Sequence, residues 1–240
     1  MLMEKMETLV AVMQDFTGKK FEYRCYTDTG PILERDLAQR AGLGWVGKNT
    51  CLINPQLGSY SFLAEVLLGI ELEPDLPFLV DRCGTCRRCL QACPTSCILP
   101  DRTLDAGRCL SYLTIENKSS IPVELRPYLG KWVFGCDLCQ VVCPWNRFSK
   151  GRMDDMFSAI CVDARPLLDE ELTLSAQEFN RKYRDTPLMR AGRNRYLRNV
   201  IVALANSGMT RSVHESLLRL CDDPHPLVRE QALWAMENEQ

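Results

Sequence analysis

Cys83-Gly84-Thr85-Cys86-Arg87-Arg88-Cys89-Leu90-Gln91-Ala92-Cys93-Pro94 decides how the middle of this chain folds. Written as spacing it is C-x2-C-x2-C-x3-C-P, the run in which a tight loop brings three thiolates onto three irons of one cubane. The fourth cysteine, held beside proline, points away and ligates a second cluster. A zinc site usually pairs two C-x2-C knuckles separated by a dozen or more residues. Three ligands packed from Cys83 to Cys89 suit a cubane face better than a tetrahedral ion.

A second cluster needs a partner run, and Cys136, Cys139 and Cys143-Pro144 supply it as C-x2-C-x3-C-P, one cysteine short. Cys109 fills the gap. Crossing the proline-adjacent cysteines then completes two sets. The first [4Fe–4S] cluster takes Cys83, Cys86, Cys89 and Cys143; the second takes Cys136, Cys139, Cys109 and Cys93. Cys97 follows Cys93 where the chain should turn into a helix that packs on the cluster, and it is read as structural packing. Cys25, Cys51, Cys161 and Cys221 are isolated, and a small buried hydrophobe is the default for each. Two adjacent clusters make a short electron wire. The long flanks on either side imply that the wire feeds something else.

Outward from these runs, the chain has 240 residues, 13 of them cysteine, and a formal net charge of −2. That length allows one large or two to three small packed units. It is no polycation, so any nucleic-acid contact must come from a local patch. The stretch Met1 to Phe16 mixes charges with apolar residues at helical spacing (Leu2, Met6, Leu9, Val10, Met13) and predicts an amphipathic helix. No run approaches the roughly 20 apolar residues that span a bilayer. A cytoplasmic protein with reduced thiols is expected, in which clustered cysteines mean metal or catalysis.

Gly42-Leu43-Gly44-Trp45-Val46-Gly47 matches G-x-G-x-x-G, but a dinucleotide fingerprint must follow a strand. Ahead of it Leu33, Leu37, Ala38 and Ala41 share a helical face instead. Gly47-Lys48-Asn49-Thr50 approaches a P-loop, yet Asn49 stands where Ser or Thr must hold Mg²⁺. A helix C-cap with a tight loop remains, or a loop lying against a flat cofactor or substrate. Asp28, before Thr29-Gly30-Pro31, reads as a turn former or the N-cap of the next helix, or as an acid.

Towards the C-terminus Leu197, Val200, Ile201, Leu204 and Ala205 form one helical face, and Leu227, Val228, Ala232, Leu233 and Ala235 a second. With Asp-Pro between them the pair looks HEAT-like, burying one face against a neighbour. From Arg181 to Arg198 seven basic residues face one acidic residue, Asp185. This suits a phosphate backbone as well as it suits an ordinary solvated helix face.

Several blocks in order resemble the epoxyqueuosine reductase family: Asp28-Thr29-Gly30-Pro31, Glu34-Arg35, Ala41 through Thr50, Gly58-Ser59-Tyr60, the eight cysteines, and Arg108 through Glu116. The resemblance implies a cobalamin-dependent enzyme with two [4Fe–4S] clusters that reduces the epoxide of epoxyqueuosine at the wobble position of tRNA to queuosine. Electrons would pass from an external donor through the clusters to cobalamin. It makes Asp28 the proton donor, since an alkoxide is a poor leaving group. It places Leu52, Leu63, Ser111, Glu116 and Lys118 near the corrin, and it favours RNA contact for Arg190, Arg193 and Arg195. The only histidines, His214 and His225, lie far along the chain, so a bound corrin is expected without a histidine ligand.

The family normally carries a longer N-terminal part, and this chain is expected to begin inside the cobalamin domain. The expected class is α+β, in four segments. Residues 1–72 are the remainder of an α/β cobalamin- and substrate-binding domain, and 73–150 a ferredoxin-like two-cluster domain. Residues 151–185 are a connector and 186–240 a HEAT-like α-helical segment. A monomer without membrane contact is expected. Two other classes stay open: a non-catalytic ferredoxin-like electron-transfer module, and an enzyme like the corrinoid reductive dehalogenases, which would carry an export signal. Corrin binding and RNA binding separate them.

Overall fold

The computed structural model describes residues 2–28, 30–148 and 166–238. Cys161 and residues 151–165 of the expected connector lie outside the described residues. The chain divides into two compact units: Met1–Cys89, Pro100–Thr103 and Cys139–Lys150 in one, Leu90–Leu99, Leu104–Leu138 and Gly151–Gln240 in the other. The cysteine-rich stretch contributes to both.

The first unit opens with α1 (Leu2–Thr17), the amphipathic helix expected from its periodicity, which buries Met6 and Val10. Strand β1 (Tyr23–Tyr26) follows, then α2 (Glu34–Arg40). A short hairpin pairs β2 (Trp45–Val46) with β3 (Leu52–Ile53), and β4 (Glu65–Leu68) returns antiparallel to β1, Tyr23 opposite Leu68. Trp45 and Ile53 anchor the core, at 2% and 1% exposure.

The glycines between α2 and β2 serve the chain itself. Gly42 has φ +75°, the left-handed turn that ends a helix. A Cβ on Gly44 would lie 2.2 Å from the Ile53 carbonyl oxygen, so the hairpin closes only with glycine there. The close approach is to protein backbone.

Helices α3 (Arg88–Ala92), α4 (Leu110–Ile115) and α5 (Leu138–Val141) carry or flank the cysteines. Then come α6 (Leu168–Glu171), α7 (Ala176–Lys182), α8 (Leu188–Ala205), α9 (Arg211–Leu220) and α10 (Pro226–Glu237). Their ends are written in the sequence. Ser175 and Glu178 form a reciprocal capping box on α7, the Thr210 side chain caps α9, and Pro226 opens α10. Gly192 has non-helical torsions and breaks α8 after its first turn.

Leu197, Val200, Ile201, Leu217, Val228, Ala232 and Ala235 are buried together in the core of the second unit. Leu233, expected on the same face, is 50% exposed, because the buried stripe of α10 runs through Val228, Ala232 and Ala235 at i, i+4 and i+7. Glu171 is 1% exposed and accepts from the hydroxyls of Tyr183 (2.7 Å) and Tyr196 (2.9 Å) while pairing with Lys182. Among the described residues no helix is long and apolar enough to cross a membrane.

Candidate metal centre

Within the first unit, Cys83, Cys86, Cys89 and Cys143 line one cavity together with Lys48, Asn49, Ile53, Arg82, Arg88 and Trp145. The 83–86 turn is closed by Cys86 N–H on the Cys83 carbonyl at 3.1 Å. Lys48 pins the same turn, its ammonium donating to the carbonyls of Gly84 (2.6 Å) and Cys86 (2.9 Å). Trp45 Nε1–H points at Cys83 Sγ, 3.4 Å away. Trp45 also stacks on Phe78 and meets Trp145 edge-on, so an aromatic wall stands beside these partly exposed thiols.

Cys143 reaches that cavity because its turn is locked from across the sequence. The carboxamide oxygen of Asn146 accepts Ser59 N–H at 2.6 Å, and Asn146 Nδ2 donates to Ser59 Oγ (2.9 Å) and the Gln140 carbonyl (2.7 Å). Ser59 Oγ donates to Gln140 Oε1 at 2.9 Å. Burial pushes the Cys143 thiol above its ordinary value, and the neighbouring Cys83 and Cys86 add to the shift. Bound iron reverses such a shift, because it demands the thiolate.

Cys93 does not join its neighbours in the run. Its Sγ lies 3.4 Å from that of Cys97 and 3.7 Å from Thr95 Oγ1, in the second unit. Arg108 donates twice to the Thr95 carbonyl (3.2 and 3.0 Å), tying this turn to Cys109. Cys109 is the N-cap residue of α4. A hydrogen bond from Cys97, opposed by burial and helped by the N–H groups of Tyr112 and Ser111, brings the Cys109 thiol down to about 6.

Cys136 stands close enough to Cys109 and Cys93 to feel their charge, and burial, the larger effect, holds its thiol up. Its approach is set by Gly135 N–H, which donates to Thr114 Oγ1 of α4 at 3.0 Å, and by packing on the Leu110, Leu113, Leu125 and Leu129 cluster. Cys139 follows three residues on, inside α5. Cys97, read as packing, is buried at 3% exposure but touches both Cys93 and Cys109.

Asp28 sits between β1 and α2 with φ +62°, a left-handed conformation that non-glycine residues adopt at a cost. Its N–H donates to Glu34 Oε1 at 2.6 Å. The N-cap of α2 is Leu33, not Asp28, so the helix-capping alternative fails.

The other expected site residues divide. In the first unit, Leu52 is buried in β3, and Leu63, partly exposed, accepts Thr27 Oγ1 through its carbonyl at 3.0 Å. In the second, Ser111 lies in the first turn of α4, Glu116 pairs with Arg190 at 2.5 Å, and Lys118 is exposed. In the basic segment two of the three expected RNA contacts, Arg193 and Arg195, also have partners within the protein. Arg193 pairs with Asp223 at 3.0 Å and donates to the Leu174 carbonyl. Arg195 donates to the carbonyls of Ala191, Ile115, Glu116 and Arg190. These two guanidiniums serve the fold, leaving Arg181, Arg184 and Arg190 as the exposed cations of the segment. Sequence reasoning missed Trp45, Lys48, Ser59 and Asn146. The signal was present, since all but Asn146 fall in blocks that the nucleotide motifs or the resemblance had already marked.

Two thiol groupings, each drawing on both runs, mark a double-cluster iron–sulfur protein, and residues 82–146 match the family model described as a 4Fe-4S double cluster binding domain. The epoxyqueuosine reductase of Pseudomonas aeruginosa is 42% identical over 236 residues, which is 98% of this chain and 65% of the relative. A crystal structure of epoxyqueuosine reductase with a tRNA-Tyr epoxyqueuosine-modified stem loop superposes with a TM-score of 0.88 at 35% identity, covering 98% of this chain and 63% of that one. Another, from Bacillus subtilis, described with an aspartate-bearing catalytic loop swung out of the active site, gives 0.86 at 35% identity over 98% and 63%. The chain is thus homologous, over almost all its residues, to the epoxyqueuosine reductases. It spans a little under two thirds of the length of these relatives.

Proposed function

We propose that this chain binds two [4Fe–4S] clusters and acts, as an epoxyqueuosine reductase does, on epoxyqueuosine in tRNA. The observation that carries it is the crossed grouping of thiols, with Cys143 beside Cys83, Cys86 and Cys89 and with Cys93 beside Cys109 and Cys136. The first cubane is held by Cys83, Cys86, Cys89 and Cys143. The second is held by Cys93, Cys109 and Cys136, with Cys139 assigned by its sequence spacing. The donors fit the group: thiols on a concave wall, an indole N–H aimed at one sulfur, and the cations Lys48, Arg82 and Arg88 at the rim to balance cluster charge.

In the overall reaction two electrons and two protons are taken up, both C–O bonds of the epoxide break, the oxygen leaves as water and the C=C bond forms. Asp28 gives a proton to the departing oxygen. Its strained, exposed backbone suits a residue kept for chemistry rather than packing. Cobalamin, the electron carrier that the resemblance implies, supplies low-potential reduction when bound. Of its five candidate neighbours, Leu63 in the first unit keeps some exposed surface, and so, taken separately, do Ser111 and Lys118 in the second. Leu52 is covered, and Glu116 pairs with Arg190 through side chains that are 40% and 43% exposed. RNA phosphates are met by Arg181, Arg184 and Arg190. The protein acts as a cytoplasmic monomer with an external electron donor.

The test is anaerobic reconstitution with iron and sulfide, then incubation with cobalamin, a low-potential reductant and an epoxyqueuosine stem loop. About eight irons per chain and loss of one oxygen from the RNA are expected. Fully loaded clusters with no change in the RNA would overturn the assignment of activity.

A further inference from the structure

Arg198 is fully buried, at 0% exposure, and its guanidinium is spent on neutral acceptors. It donates to the carbonyls of Leu113 (2.6 Å), Asn117 (2.8 Å) and Ser119, and twice to Asn199 Oδ1 (3.0 and 2.9 Å). Its neighbours on α8 complete the pattern. Arg195 takes the Ile115 and Glu116 carbonyls, and Asn199 Nδ2 takes the Thr114 carbonyl at 2.8 Å. Residues 113–116 are the last turn of α4, so α8 caps the carbonyl end of the helix whose other end carries Cys109.

Capping alone needs only N–H donors, and Asn199 shows that a neutral amide can supply them. The charge is the part left unexplained. Among the described residues no carboxylate bonds to Arg198, and burial and the like charge of Arg195 both work against its own. A buried cation without a counter-ion is costly unless something negative lies within reach. A cubane on four thiolates is such a group, and it becomes more negative on reduction. Helix α4 has six residues, about 9 Å at 1.5 Å per residue, so Cys109 and Arg198 lie within about one Debye length of each other.

We propose that Arg198 is a positioning residue for the second cluster: it fixes α4 by its carbonyl end, and its buried charge makes that cluster easier to reduce. This rests on the ligand sets proposed above.

The experiment uses the full chain, reconstituted anaerobically, as wild type and as Arg198→Lys, Arg198→Gln and Arg198→Met. Iron content, urea unfolding and a redox titration followed by electron paramagnetic resonance are read on each. Cys143→Ala, which the ligand sets leave with the second cluster alone, assigns the signals. All three variants should unfold at lower urea, since none can serve as many carbonyls. Arg198→Lys should keep the midpoint potential of the second cluster. The neutral Gln and Met variants should move it to more negative potential and leave that of the first cluster unchanged. If Met does not fold, Gln against Lys carries the comparison. Equal midpoints for Lys and the neutral variants would reduce Arg198 to a cap and overturn the proposal. A wild-type chain that takes up no iron would instead refute the ligand sets.

Discussion

Cys93→Ala and Cys143→Ala separate a crossed ligand arrangement from two self-contained runs. Taken as self-contained, the run from Cys83 to Cys93 holds one cluster, and losing Cys93 frees Cys83, Cys86 and Cys89. In the folded chain Cys93 instead lies beside Cys97, Cys109 and Cys136, while Cys143 shares a cavity with Cys83, Cys86 and Cys89. Each substitution removes one of four ligands, so iron should fall from about eight to about four per chain in both variants. The thiols released differ. Brief anaerobic alkylation followed by peptide mass spectrometry should label Cys83, Cys86 and Cys89 in Cys143→Ala, and Cys109, Cys136 and Cys139 in Cys93→Ala. Cys97→Ala should retain both clusters. Labelling of Cys83, Cys86 and Cys89 in Cys93→Ala would refute the crossing outright.

Other expectations follow from single interactions. Asp28→Asn keeps size but cannot deliver a proton, so turnover on the stem loop should fall by roughly 10²–10⁴ with iron content unchanged; an active variant would remove Asp28 from the chemistry. Glu171→Gln leaves a buried ion pair and two tyrosine hydroxyls imperfectly served, and urea unfolding should show a loss of about 1–3 kcal/mol. In the metal-free protein Cys109 should be the first thiol alkylated as pH rises. Its folded value of about 6 lies below that of a free thiol, so the thiolate is already dominant at pH 7, and a profile with a midpoint near 8.5 would contradict the hydrogen bond from Cys97 and the lesser help of the helix-end N–H groups. Arg181→Ala with Arg184→Ala should flatten the salt dependence of tRNA binding by about one log–log unit for each phosphate no longer neutralised. Arg195→Ala should lower stability and leave that slope alone.

The grouping of Cys83, Cys86 and Cys89 with Cys143, and of Cys93 and Cys109 with Cys136, was legible because cluster chemistry restricts spacing: a cubane face needs three thiols within one tight loop, whatever the rest of the chain does. Helix ends were legible too, through Ser175 and Glu178 or Pro226. The glycine-rich stretch was legible at its helix end, where Gly42 turns left-handed as a C-cap requires, and not beyond it. Its motif spacing allowed close approach, but the approaching groups are the Ile53 backbone, and the partner of Lys48 is a turn 36 and 38 residues away. The basic segment was not legible, for the same reason. Sequence shows the sign of Arg195, but its acceptors on Ile115 and Glu116 lie 80 and 79 positions distant. Whether a guanidinium meets RNA or a helix end is decided by tertiary neighbours that no local pattern contains.

The Cys143 turn, locked by Ser59 and Asn146, also sets an order of events during synthesis. A ribosome releases Cys83, Cys86 and Cys89 early, but their fourth partner emerges only 54 residues after Cys89. On the proposed ligand sets the other begins later, at Cys93, and is finished first, at Cys139. At about 5–20 residues per second the two sets close within about one second of each other. A nascent chain therefore passes almost directly from holding no complete site to holding both. On these ligand sets a complete site first exists once Cys139 has been made, with 97 of the 240 residues still to follow Cys143, and a chain interrupted before Cys139 has none in which to keep a cluster.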